Sequence, residues 1–195
     1  MKPSIPGEAE GTHPEDIEAV VQRVQTGDRQ AYTMIIRQFE RQMYTYCYYI
    51  LKNHAETEDA VQEIFIRAYE KLPQYTSQAT FSAWLYKLAY YHLMNIKKSQ
   101  SRWLKLIREV KEPPEPPVFS RESMIEELLT VLSVEERHIL LLKAVEQYSF
   151  EEIGGIIGIK PATVRKKYER LRRKLVTYRQ NQGGSARETF AHSNR

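Results

Sequence analysis

SFEEIGGIIGIKPATVRKKYERLRRKL, residues Ser149 to Leu175, contains two helical patterns separated by a glycine. Ser149 and Glu152 have the spacing of a capping box, in which each side chain satisfies a free amide at a helix start. Ile153, Ile156 and Ile157 then fall on one helix face. Gly158 can close that helix in the left-handed conformation, and Pro161 suits the first turn of the next. In the second helix Val164, Tyr168, Leu171 and Leu175 form an inward stripe, and most of the cations lie off it. The pattern predicts a helix-turn-helix whose second helix enters a DNA major groove. From Lys160 to Arg179 there are nine Lys or Arg against the single acid Glu169, a local net of +8, while the whole chain is only +4. The excess positive charge is therefore concentrated where the turn pattern would place it against DNA.

Working outward, the 195 residues show helical periodicity and no strand-like alternation, which predicts an all-α fold. The expected domains are a helical unit over 15–110, a proline-rich linker over 111–120 and a second helical unit over 121–179. Disordered tails are expected at 1–14 and 180–195. The linker follows from KEPPEPP, Lys111–Pro117, whose four prolines cannot continue a helix. In the first unit, apolar stripes run through Ile17–Val24, then Tyr32–Leu51, then Ala60–Leu72 (with a start near Thr57), then Phe81–Ile96. Asp28 is placed to cap the second of these. In the second unit, Ser133 with Glu136 repeats the capping-box spacing ahead of Ile139, Leu140, Leu142 and Val145.

A lone Cys47 fits a reducing compartment and, within an apolar stripe, a buried structural thiol. No apolar run approaches the roughly 20 residues of a membrane span, and the N-terminal stretch lacks a secretion-signal core. A soluble cytoplasmic protein without membrane insertion is expected. The five histidines are scattered without metal-ligand spacing, and no glycine-rich phosphate loop is present. No enzyme, metal or cofactor is expected.

Two further constellations stand out. Asp59, Gln62 and Glu63 share one face of the third helix, opposite its apolar stripe. Charge alone leaves this a solvated face or an acidic ledge for a basic partner. The stretch from Tyr75 to Lys98 mixes Tyr75, Phe81, Trp84, Tyr86, Tyr90 and Tyr91 with Lys87, Lys97 and Lys98, a composition suited to stacking unpaired bases beside phosphate-binding cations. Core packing is the alternative, and it is the expectation for Phe81 and Trp84. Tyr90 and Tyr91 are adjacent, so they point in different directions.

Four ordered segments, GDRQAYTMIIRQFERQMYTYC, AETEDAVQEIFIRAYEKL, FSAWLYKLAYYHLMN and the C-terminal stretch quoted above, resemble the bacterial extracytoplasmic-function (ECF) sigma factors. The resemblance spans about Ile17 to Tyr178. It implies a region 2 and a region 4 joined by the linker, and a protein that binds core RNA polymerase and directs it to promoters. By this resemblance Asp59, Gln62 and Glu63 dock on the β′ coiled coil, and region 4 meets the β flap. Unpaired bases of the −10 element fall to Tyr75, Thr76, Gln78, Lys87, Tyr90, Tyr91, Asn95 and Lys98. The −35 duplex falls to Thr163, Arg165, Lys166, Lys167 and Arg170. A regulatory anti-sigma partner is also implied. The chain departs from the family pattern at Tyr90-Tyr91, where Arg-Asn is common, at Lys160, where a capping serine is common, and at Ala162, where glycine is common. An ordinary duplex-binding regulator and a protein-interaction module are the competing readings.

Overall fold

The computed structural model describes residues 16–106 and 128–191, with the side chains of 16–103 and 128–180. The expected tail at 1–14 and linker at 111–120 lie outside the described residues. Among the described residues every regular element is helical.

Helix α1 (Ile17–Gln25) is capped by the Asp16 side chain, which accepts from Glu18 N, and it buries Val20 and Val21. Asp28 caps not a long helix but a 3-10 turn, Arg29–Ala31, accepting from Ala31 N at 3.2 Å. That turn feeds α2 (Tyr32–Leu51), which sinks Ile35, Met43, Cys47 and Ile50 into the core. Burial pushes the Cys47 thiol up to about 12, so it is held protonated and unreactive. Helix α3 (His54–Lys71) starts three residues before the expected Thr57, because Asn53 accepts from Glu56 N at 3.0 Å and so supplies the cap. Thr57 instead turns its hydroxyl back to Asn53 O. Helix α4 (Phe81–Leu106) completes the first unit, burying Phe81, Leu85, Tyr86, Ala89 and Leu93.

The second unit enters through a helical turn ending at Thr130, followed by α5 (Val134–Ala144), α6 (Phe150–Ile157) and α7 (Pro161–Ala191). Both capping boxes are formed. Ser133 N donates to Glu136 at 2.8 Å and Glu136 N to Ser133 at 3.3 Å, and the Ser149–Glu152 pair closes at 2.7 and 3.1 Å. Gly158 takes φ 78°, the left-handed value that ends α6. Val164 and Leu171 are buried, Tyr168 and Leu175 partly so. Helix α7 runs to Ala191, past the expected limit near 179, since extending a formed helix adds one hydrogen bond per residue fixed.

Gly154 lies inside α6 at its closest approach to the turn, where an added Cβ would fall 2.7 Å from Ile159 O. The obstacle is backbone, so a Gly154→Ala variant is expected to lose about 1–3 kcal/mol of stability, checked by urea unfolding.

The two units are packed together. Helix α5 lies against α2 and α4, and α6 against α4, so their buried residues form one continuous core. The seam is aromatic and polar. The Tyr46 hydroxyl sits 2.7 Å from His138 Nδ1, and the His138 ring lies edge-on to Tyr90 at 4.8 Å. Tyr148 hydrogen-bonds Ser82 and packs edge-on to Tyr86. The sequence led to an expectation of two tethered bodies. The packing arises because stripes on α2 and α4 expose tyrosines that α5 and α6 cover.

Candidate functional site

Three surfaces carry the candidate residues. On α3, the inward residues Ala60, Val61, Ile64, Phe65 and Ala68 leave Glu58, Asp59, Gln62 and Glu70 exposed. Asp59 and Gln62 face solvent, while Glu63 is partly exposed and paired with Arg67 at 2.6 Å, one turn on. A surface pair of this kind contributes about 0–1 kcal/mol, so a partner cation can replace Arg67 at little cost. Beside this face, α2 and α3 enclose a groove of 690 Å³ walled by Tyr32, Ile36, Phe65 and Ile66 and rimmed by Glu40 and Glu58. An acidic rim around an apolar trough suits a basic, amphipathic partner.

The second surface comprises the loop from Tyr75 to Thr80 and the outer side of α4. Thr76, Gln78, Lys87, Tyr91, Asn95 and Lys98 are exposed, and the last four recur at helical spacing on one face of α4. Two of the expected base-binding residues are not on this surface. Tyr75 is only 7% exposed, with its ring against Phe81 and Trp84, and Tyr90 is also 7% exposed, turned toward His138. Tyr75 is buried because the loop folds back on α1. Tyr90 is buried because the two helical units meet there. In this arrangement neither ring is open for stacking, whereas Tyr91 is 47% exposed. The loop also shares a groove with Glu152, Gly155 and Ile156 of α6.

The loop has supports that sequence reasoning did not single out. The Glu18 carboxylate accepts from the Tyr75 hydroxyl at 2.9 Å and from Phe81 N at 2.8 Å. Gln25 Nε2 donates to Leu72 O at 2.8 Å and Tyr75 O at 3.0 Å. The available signal was faint. Glu18 and Gln25 are seven residues apart and so border the same apolar stripe of α1.

On the third surface, α7 exposes Thr163, Arg165, Lys166 and Arg170, with Thr163, Lys166 and Arg170 on one face. Arg165 stands over the Phe150 ring at 5.4 Å, which orients its guanidinium without neutralising it. Lys167 is different, being bound to Glu135 at 2.9 Å and half-buried. Lys174 likewise reaches Glu136, at 3.3 Å. These two cations anchor α7 to α5 and leave the outward ones for a polyanion.

Both helical units match known families. Residues 35–102 match the Sigma-70 region 2 family and residues 122–175 the Sigma-70 region 4 family. The ECF RNA polymerase sigma factor SigW of Bacillus subtilis (strain 168) is 29% identical over 80% of this chain and 92% of its own length. The ECF RNA polymerase sigma-E factor of Escherichia coli (strain K12) is 25% identical over 80% of this chain and 90% of its own. Among solved structures, the sigma factor RpoE in complex with the anti-sigma factor NepR from Bartonella quintana shares the fold, with a TM-score of 0.64, 17% identity, and coverage of 74% of this chain and 93% of that one. Region 2 followed by region 4 defines a transcription-initiation factor of the sigma-70 class, a DNA-binding protein rather than an enzyme. The chain belongs to the ECF sigma factors.

Proposed function

We propose that this chain joins core RNA polymerase through the acidic face of α3 and directs it to promoters by gripping two DNA elements with two different surfaces. Asp59, Gln62 and Glu63 receive the basic β′ coiled coil, with an apolar anchor of that partner in the neighbouring groove. Region 4 engages the β flap and presents Thr163, Arg165, Lys166 and Arg170 to the −35 duplex. Lys167 joins them once released from Glu135. Thr76, Gln78, Lys87, Tyr91, Asn95 and Lys98 meet the unpaired −10 strand, and Tyr75 and Tyr90 contribute from behind that surface. The observation that carries this reading is the segregation of charge on buried-stripe helices: α3 turns acids outward and α7 turns cations outward.

The mechanism is one of binding energy. Lysines and arginines displace counterions condensed on DNA phosphates, while side chains at the front of α7 contact base edges. Holding melted bases shifts the duplex toward the open complex. A solved sigma factor of this fold was captured with an anti-sigma factor, and we infer an anti-sigma partner for this chain as well. No helix among the described residues is long and apolar enough to cross a membrane, which fits action in the cytoplasm.

Run-off transcription with core enzyme on genomic fragments tests the reading. Discrete start sites preceded by paired −35 and −10 elements are expected, and no transcript on any fragment would overturn it. Arg165→Ala with Lys166→Ala is expected to cost about 1–3 kcal/mol of −35 discrimination for each side chain that reads a base. Each cation removed from a DNA phosphate is expected to lower the salt slope by about 1. A footprint that keeps its −35 protection in the double variant would contradict the assignment.

A further inference from the structure

We propose that Glu18 and Gln25 of α1 are positioning residues that hold the loop between Leu72 and Phe81 in the shape that captures an unpaired base. The proposal rests on the −10 role assigned above to that loop. Helix α1 precedes residues 35–102, which match region 2, and its side chains touch both ends of the loop. At the near end, Gln25 Nε2 bridges two backbone carbonyls, Leu72 O and Tyr75 O, and so fixes the exit from α3. At the far end, the Glu18 carboxylate binds the backbone amide of Phe81, the first residue of α4, and the hydroxyl of Tyr75. The Tyr75 hydroxyl also lies 2.8 Å from Ala79 O, so one side chain ties the start of the loop to its end.

Between these anchors Thr76, Ser77, Gln78, Ala79 and Thr80 are exposed, and the backbone bonds that hold the segment itself are few, with Gln78 N to Thr76 O at 2.8 Å the clearest. A loop so placed would sample many shapes without the outside clamps, and ordering it would then fall on the binding step. The clamps order it beforehand. Glu18 suits this task because its carboxylate accepts from two donors at once, and because negative charge is favourable at the start of α4. Tyr75 thereby acquires a function compatible with its burial: its ring is the post on which the loop is fastened.

The test uses the full chain assembled with core RNA polymerase. The probe is a single-stranded oligonucleotide carrying the −10 sequence of a promoter that the wild-type holoenzyme transcribes, together with variants substituted at each base. A duplex carrying the −35 sequence is the internal control. Glu18→Ala combined with Gln25→Ala is expected to weaken single-strand binding about tenfold, corresponding to 1.4 kcal/mol, and to flatten discrimination at the captured base, with duplex binding unchanged. Glu18→Gln retains an acceptor and is expected to recover most of both losses, which a merely stabilising role would not link to base identity. Gln78→Ala separates the clamp from the loop it holds. If Gln78→Ala lowers discrimination while Glu18→Ala and Glu18→Gln leave it intact, the positioning role is overturned and the loop reading survives. If neither changes discrimination, both are overturned.

Discussion

Replacing Asp59, Gln62 and Glu63 together by lysine is expected to abolish measurable assembly with core RNA polymerase while leaving the chain folded. The substitution takes the face from −2 to +3, a swing of five charges on residues that point outward or nearly so. If the partner surface is basic, close pairs become close repulsions, and truncating even one partner of such a pair costs about 2–5 kcal/mol. A hundredfold or greater loss of affinity follows from about 3 kcal/mol. Stability should move little, because surface changes away from packed features lie within about 0.5 kcal/mol. The one local casualty is the Glu63–Arg67 pair, itself half-exposed. Fluorescence titration against core enzyme, with thermal melting in parallel, checks both halves. Unchanged core affinity in a chain that melts normally would remove α3 as the docking face.

Acidification is expected to loosen the seam between region 2 and region 4. His138 is fully buried there, and burial followed by the nearby charge of Arg137 pushes its imidazole down to about 3 from an ordinary 6.5. The groups facing it are Tyr46 of α2 and Tyr90 of α4, neither of which offers a negative charge, and Nε2 has no hydrogen-bond partner among the described residues. The packed form therefore binds His138 in its neutral state, and a separated form binds protons more readily. The packed form keeps its full advantage above pH 6.5 and loses it progressively down to about pH 3, where both forms are protonated. At pH 5.5 the loss amounts to about 1.4 kcal/mol, a tenfold shift. Glu146 opposes this at the acid end of the window, since burial raises its carboxyl in the packed form. Small-angle scattering from pH 8 to 5 should show the radius of gyration rising below pH 6.5. His138→Gln, which cannot charge, should flatten the profile. A radius that is constant for the wild type across that range would contradict a role for His138 in holding the seam.

What could be read from the sequence was local. The capping boxes at Ser133 and Ser149, the left-handed Gly158 and the stripe through Val164 and Leu171 all depend on residues within one or two turns, and periodicity exposes them. The exposed acids of α3 and cations of α7 were legible for the same reason: a buried stripe dictates what faces away from it. The seam was not legible. Tyr46 and His138 are 92 positions apart, and a tyrosine on an apolar stripe carries no mark of which helix will cover it. Tyr75 and Tyr90 were misplaced on this account, as aromatics near cations have the same composition whether they stack on bases or on one another. The supports at Glu18 and Gln25 were hidden because a carboxylate or amide bonding a distant backbone leaves no periodic trace.

The close approach at Gly158 has a consequence for how tightly this protein can hold a promoter. A Cβ there would lie 2.7 Å from the Tyr91 hydroxyl, so the turn between α6 and α7 abuts the hydroxyl end of an exposed side chain that we propose meets the −10 strand. A nucleotide group that reached the hydroxyl end of Tyr91 would have to share that space with the Gly158 turn. On the −10 role proposed for Tyr91, DNA and the protein's own turn would compete for one side chain, and apparent affinity would be the intrinsic affinity scaled by the fraction of molecules in which that side chain is vacant. A free chain would then be a poor ligand for stray single strands, and an occupant that draws region 4 away would unmask that side chain.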